Sequence, residues 1–135
     1  MTPVPDRLRW SERGDASIQM AIIFPVFILF VISVVQVIMW GNARAVAQVA
    51  AREGVAAARA YKATPAQGAA RSQEALGRLS GGNLHGYRVS SGGSNAERVR
   101  IRVTGRATSL LPGIPNFPVD ERASGTVERW TTPGR

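Results

Sequence analysis

The chain separates into two regimes of hydrophobic patterning. From Ala16 to Trp40 there is no Asp, Glu, Lys or Arg in 25 consecutive positions. As a helix that run reaches roughly 37 Å at about 1.5 Å per residue, enough to cross a hydrocarbon core of about 30 Å. A buried core helix of this length would need a larger protein around it than the rest of the chain can supply. A cleaved signal peptide is the competing reading, since Ala43-Arg44-Ala45 has the small-x-small form of a cleavage site. The apolar stretch exceeds the roughly 7–15 residues of a signal h-region, so the run is read as a membrane anchor. Pro25 inside it removes one backbone donor and predicts a kink.

Beyond Trp40 the pattern becomes amphipathic. Ala43, Val46, Ala47, Ala50, Ala57 and Tyr61 recur near helical spacing, so the helix continues past the membrane as a narrow apolar stripe. Its small residues, with Gly54, suit close helix packing, either on the protein's own domain or on another helix. Thr64-Pro65 is a helix start, and Ser80-Gly81-Gly82-Asn83 ends a second helix over Pro65–Leu79.

The period then changes to two. Tyr87–Ser90 is a short strand candidate, and Ser91–Asn95 a loop or hairpin turn. Over Glu97–Thr104, Val99, Ile101 and Val103 alternate with Arg98, Arg100 and Arg102. The prolines from Pro112 to Pro118 predict a loop, because a paired central strand excludes them. Asp120–Trp130 reads as the last strand. The predicted fold is therefore α+β: a long N-terminal transmembrane helix, a second helix and a small three-stranded antiparallel sheet. With so small a core, the apolar face of the sheet needs a helix against it.

Charge adds one feature and withholds another. Lys and Arg number 17 against 9 Asp and Glu, and 14 of the 17 cations follow the apolar run. Arg7, Arg9 and Arg13 on one side face Arg44, Arg52 and Arg59 on the other, so positive charge alone does not orient the helix. The row Arg98, Arg100, Arg102, continued by Arg106, forms a cationic ladder on one strand face. It is either a solvated outer face or a surface for an anionic partner. No aromatic residues interleave with it for base stacking, so no nucleic acid is expected.

Little points to catalysis. There is no cysteine, the single histidine is His85 in a Gly- and Asn-flanked stretch, and the carboxylates are scattered. Asp120 and Glu121 adjoin, but neighbours on a strand face opposite ways. No catalytic residue, metal site or cofactor is expected.

The segment from Arg13 to Val26 (Arg-Gly-Asp-Ala-Ser-Ile-Gln-Met-Ala-Ile-Ile-Phe-Pro-Val) resembles the signature of the TadE-like family. Ala51-Arg52-Glu53-Gly54-Val55 is similar to that family's Ala-Arg-Glu-Gly-Ala segment, and Val103–Ala107 and Ala123–Glu128 fit its β-rich tail. The resemblance implies a minor pseudopilin of a tight-adherence pilus, a type IV-like pilus. It implies cleavage by a prepilin peptidase between Gly14 and Asp15, and a single-pass protein of the cytoplasmic membrane. The divisions it implies are a cytoplasmic leader over residues 1–14, a transmembrane helix over 15–41 and an extracytoplasmic α+β domain over 42–135. The implied partners are the membrane, other pilin or pseudopilin subunits, the assembly platform and the peptidase. Gln19 departs from the pattern, since pilin-like sequences usually carry glutamate at the fifth residue after the cut. A generic anchored adaptor of another envelope or secretion system is the alternative.

Overall fold

The structure, a computed structural model, describes the backbone of residues 7–129 and the side chains of residues 14–129. The expected leader start and the end of the expected last strand at Trp130 lie outside these residues. The elements are α1 (Arg7–Arg59), α2 (Pro65–Leu79), β1 (Leu84–Ser90), β2 (Arg98–Ala107) and β3 (Phe117–Thr126). This is the α+β architecture expected. The chain divides into two units, Met1–Val35 and Gln36–Arg135, so α1 contributes to both.

In the first unit α1 carries the apolar run. Every described side chain from Gly14 to Val35 is exposed apart from the half-buried Ile32. Pro25 lies inside the helix, which continues on both sides of it. Ser33 Oγ donates to the Leu29 carbonyl at 2.8 Å, so this hydroxyl is satisfied within its own helix. That is what an apolar surrounding requires, where no water replaces a missing partner.

The second unit packs the rest of α1 and α2 against one face of the sheet. The core joins Ala43, Ala47, Ala50, Ala51, Val55 and Ala58 of α1 to Ala75 and Leu76 of α2. Leu84, Val99, Ile101, Val103, Ala107 and Val119 supply the sheet's side of it. The stripe is thus Ala-rich as expected, although Tyr61 falls beyond the end of α1 and is exposed. Lys62 follows with a φ of 62°, the left-handed turn that redirects the chain into α2. α2 opens with a capping box: Thr64 Oγ1 accepts from the Gln67 amide, and the Thr64 amide donates to Gln67 Oε1.

The sheet order is β1-β2-β3, antiparallel throughout. β1 begins earlier than its alternation suggests, because a bulge between His85 and Arg88 interrupts the register. β3 starts at Phe117 and includes Pro118, paired with Arg106, where a loop was expected. β3 is an edge strand, and an edge tolerates a residue with no amide to donate.

Candidate functional site

Gly14, Asp15 and Gln19 lie on α1 in the first unit, all exposed. A Cβ on Gly14 would meet nothing within 4 Å. Asp15 and Gln19 stand four residues apart and therefore share one helix face. Pro25 is exposed farther along the same helix.

The second unit begins with a clamp. Gln36 is buried, and its amide makes two bonds to the chain after β2. Nε2 donates to the Thr108 carbonyl at 2.9 Å, and Oε1 accepts from the Leu110 amide at 2.7 Å. One turn on, Trp40 Nε1 donates to the Pro118 carbonyl at 3.3 Å. Arg44 lies over the Trp40 ring at 4.9 Å and donates through Nε to Glu121 Oε1 at 2.6 Å. Asn83 Nδ2 donates to the Met39 carbonyl at 3.1 Å. Residues 36–44 of α1 are thus already part of the folded unit. Gln36 is one of only two uncharged amides in the apolar run, and that polarity was the available signal.

Ala47, Ala50 and Gly54 are buried within the same unit. Gly54 faces Gly68 of α2, and beside them Ser72 Oγ donates to the Ala50 carbonyl at 2.6 Å. Glu53 accepts from Arg78 at 3.1 Å and lies 3.8 Å from Arg71, binding the two helices at their rim.

The outer sheet face holds Arg98, Arg100, Arg102 and Arg106, all exposed. The register adds two cations that strand alternation alone did not place there. Arg122 stands opposite Arg102, and Arg88 stands opposite Thr104. Asp120 shares this face and forms a two-pronged ion pair with Arg102, with Nε at 2.9 Å from Oδ1. It also lies 3.5 Å from Arg122. The hydrogen bonds from Arg102 hold the Asp120 carboxyl down at about 2, and Arg102 is raised in return. Among the described residues, Arg98, Arg100 and Arg106 form no ion pair. Glu121, next to Asp120, points the other way to Arg44, as strand alternation requires.

His85 is exposed, with Nε2 2.7 Å from Thr108 Oγ1. Among the described residues no group of three His, Cys, Asp or Glu side chains could hold a metal ion.

No curated protein and no solved structure matches the chain. A family model described as TadE-like protein does match, and its span takes in the apolar helix, the Gln36–Arg44 clamp and the Ala-Arg-Glu-Gly segment. Over residues 14–56, about a third of the chain, the protein is similar to the TadE-like family.

Proposed function

We propose that the protein is a membrane-anchored minor pilin-like subunit that takes part in assembling a tight-adherence pilus. The observation that carries this reading is the start of the family match at Gly14, at the head of an exposed apolar helix joined to an α+β unit. A prepilin peptidase cleaves between Gly14 and Asp15, and Asp15 becomes the mature N-terminus. The helix from Asp15 crosses the cytoplasmic membrane once, with the leader inside and the folded unit outside.

The apolar run ends at Trp40, whereas tertiary contacts begin at Gln36. Residues 15–35 as a helix measure about 31 Å, matching a hydrocarbon core of about 30 Å. The bilayer therefore ends near Gln36, and the turns from Gln36 to Trp40 belong to the exported unit. In an assembled state the apolar helix is buried against the helices of other subunits. The role is structural, with the assembly platform and the peptidase as partners, and it uses no cofactor.

N-terminal sequencing of the protein from membranes of a host with the peptidase tests this. A chain beginning at Asp15 is expected, and Gly14→Val should abolish that product, since the residue before the cut must be very small. A chain still beginning at Met1 in that host rejects the pilin reading. A start at Val46 would establish the signal-peptide alternative.

A further inference from the structure

The segment between β2 and β3, residues 108–116, is unusual for a water-facing loop. Its tip runs Leu110-Leu111-Pro112-Gly113-Ile114-Pro115, with no polar side chain in six residues. Leu110 is 47% exposed and Ile114 45%.

Its polar flanks bond to the loop's own backbone. Asn116 Oδ1 accepts from the Ser109 amide at 3.0 Å, and Ser109 Oγ accepts from the Leu111 amide at 3.3 Å. The Leu110 amide is held by Gln36, and the Ile114 amide donates to the Leu111 carbonyl at 3.3 Å. Pro112 and Pro115 have no amide to offer. Of the six tip residues, only Gly113 retains a free N–H. The tip thus brings almost no unpaired donor with it when it leaves bulk water.

The position of the loop says what it enters. Gln36 ties it to the first turn of the folded unit, directly after the last residues of the exposed apolar helix. Val37 and Ile38, on the same turn, are 66% and 65% exposed. An apolar groove of about 250 Å³ lies beside them, lined by Gln36, Val37, Trp40 and Phe117. Trp40 is an aromatic side chain of the kind that settles at a membrane interface, and Phe117 adds apolar surface beside it.

We propose that the Leu110–Pro115 loop inserts into the headgroup region of the bilayer, giving the folded unit its own contact with lipid. This rests on the reading that residues 15–35 span that bilayer. Leu110, Leu111 and Ile114 supply the apolar contact, and Gln36 holds the loop at the depth where the helix emerges.

The natural chain has no cysteine, so single-cysteine variants can carry an environment-sensitive fluorophore. Full-length Ile114→Cys, Val26→Cys and Asn95→Cys are compared in phosphatidylcholine–phosphatidylglycerol vesicles. Nitroxide groups are placed on the lipid either near the headgroup or deep in the acyl chain. Ile114 and Asn95 are exposed; Asn95→Cys gives up the bonds that Asn95 Oδ1 accepts from the Glu97 and Arg98 amides, a change confined to the β1–β2 turn at the other end of β2 from the loop. The label at 114 should be quenched several-fold more by the shallow nitroxide than the label at 95, and the label at 26 chiefly by the deep one. Quenching at 26, with 114 no more affected than 95, overturns the loop proposal and leaves the membrane helix standing. No quenching at 26 overturns both. A label at 114 that is shielded from water yet untouched by lipid nitroxide means that another protein surface covers the loop, and the proposal fails.

Discussion

Gly54 and Gly68 meet backbone to backbone where α1 crosses α2. A Cβ on Gly54 would stand 2.6 Å from the Gly68 carbonyl oxygen and overlap Ser72 Oγ. One on Gly68 would stand 2.5 Å from both the Gly54 carbonyl oxygen and Ala58 Cβ. Glycine, a poor helix former, is kept here because any side chain would separate the helices.

Gly54→Ala or Gly68→Ala should therefore destabilise the folded unit by about 1–3 kcal/mol, the usual cost of overpacking. Gly77, also on α2, faces open space. Gly77→Ala should instead add about 0.5–1 kcal/mol through helix propensity. Urea unfolding of the full chain in detergent, followed by circular dichroism, separates the two cases. Equal responses at Gly54 and Gly77 would refute the close crossing.

Gln36→Leu leaves the Thr108 carbonyl and the Leu110 amide without their side-chain partner, at a cost of about 1–3 kcal/mol. Gln36→Glu should be worse at neutral pH than in acid. Only a protonated carboxyl can both donate to Thr108 and accept from Leu110. Unfolding of this variant across the acid range should show stability recovering as the pH falls.

Asp120 has a folded value of about 2, below the ordinary carboxylate range near 4. Its ion pair therefore contributes in full above that range and is lost as the pH falls from about 4 to 2. The pair is solvent-exposed, so its contribution should be small and shrink with added salt. Asp120→Asn should flatten this part of the stability profile. Titration of the Asp120 carboxyl by NMR gives the direct check, and a midpoint near 4 would contradict the pairing.

A pilin-like helix with Gln19 has no carboxylate to meet the terminal amine of a neighbouring subunit. Such a subunit should occupy the base or tip of a pilus, or prime its assembly. Quantitative mass spectrometry should find it at trace level in sheared fibres and mostly in membranes. Gln19→Glu should raise the fibre fraction if this side chain limits incorporation. Abundance near that of the major pilin in unmodified fibres would contradict the assignment.

What could be read in advance followed from how local each signal was. Thr64-Pro65 and Ser80-Gly81-Gly82 bracket α2 correctly because caps and breakers act within a few residues. The Val99/Ile101/Val103 alternation likewise marks the buried face of β2. Pro118 sits in β3 although proline predicts a loop, because its exclusion holds only for a central strand and which strand is central depends on the whole sheet. The start of β1 was hidden by the bulge at His85–Arg88. Arg88, Arg122 and Asp120 join the Arg ladder through cross-strand register, which no single strand reveals. The role of Gln36 is not legible in the sequence, because its apolar neighbours dominate any average taken across it.

The ties between α1 and the sheet also have a mechanical meaning. Gln36, Trp40, Arg44 and Arg59 grip Thr108, Pro118, Glu121 and Thr126, in the same order along both segments. A force drawing the helix lengthwise enters the unit at Gln36 and loads these attachments in shear. They resist together, whereas peeling would break them one after another. A subunit hauled out of a bilayer by its helix would bring its folded cargo with it intact.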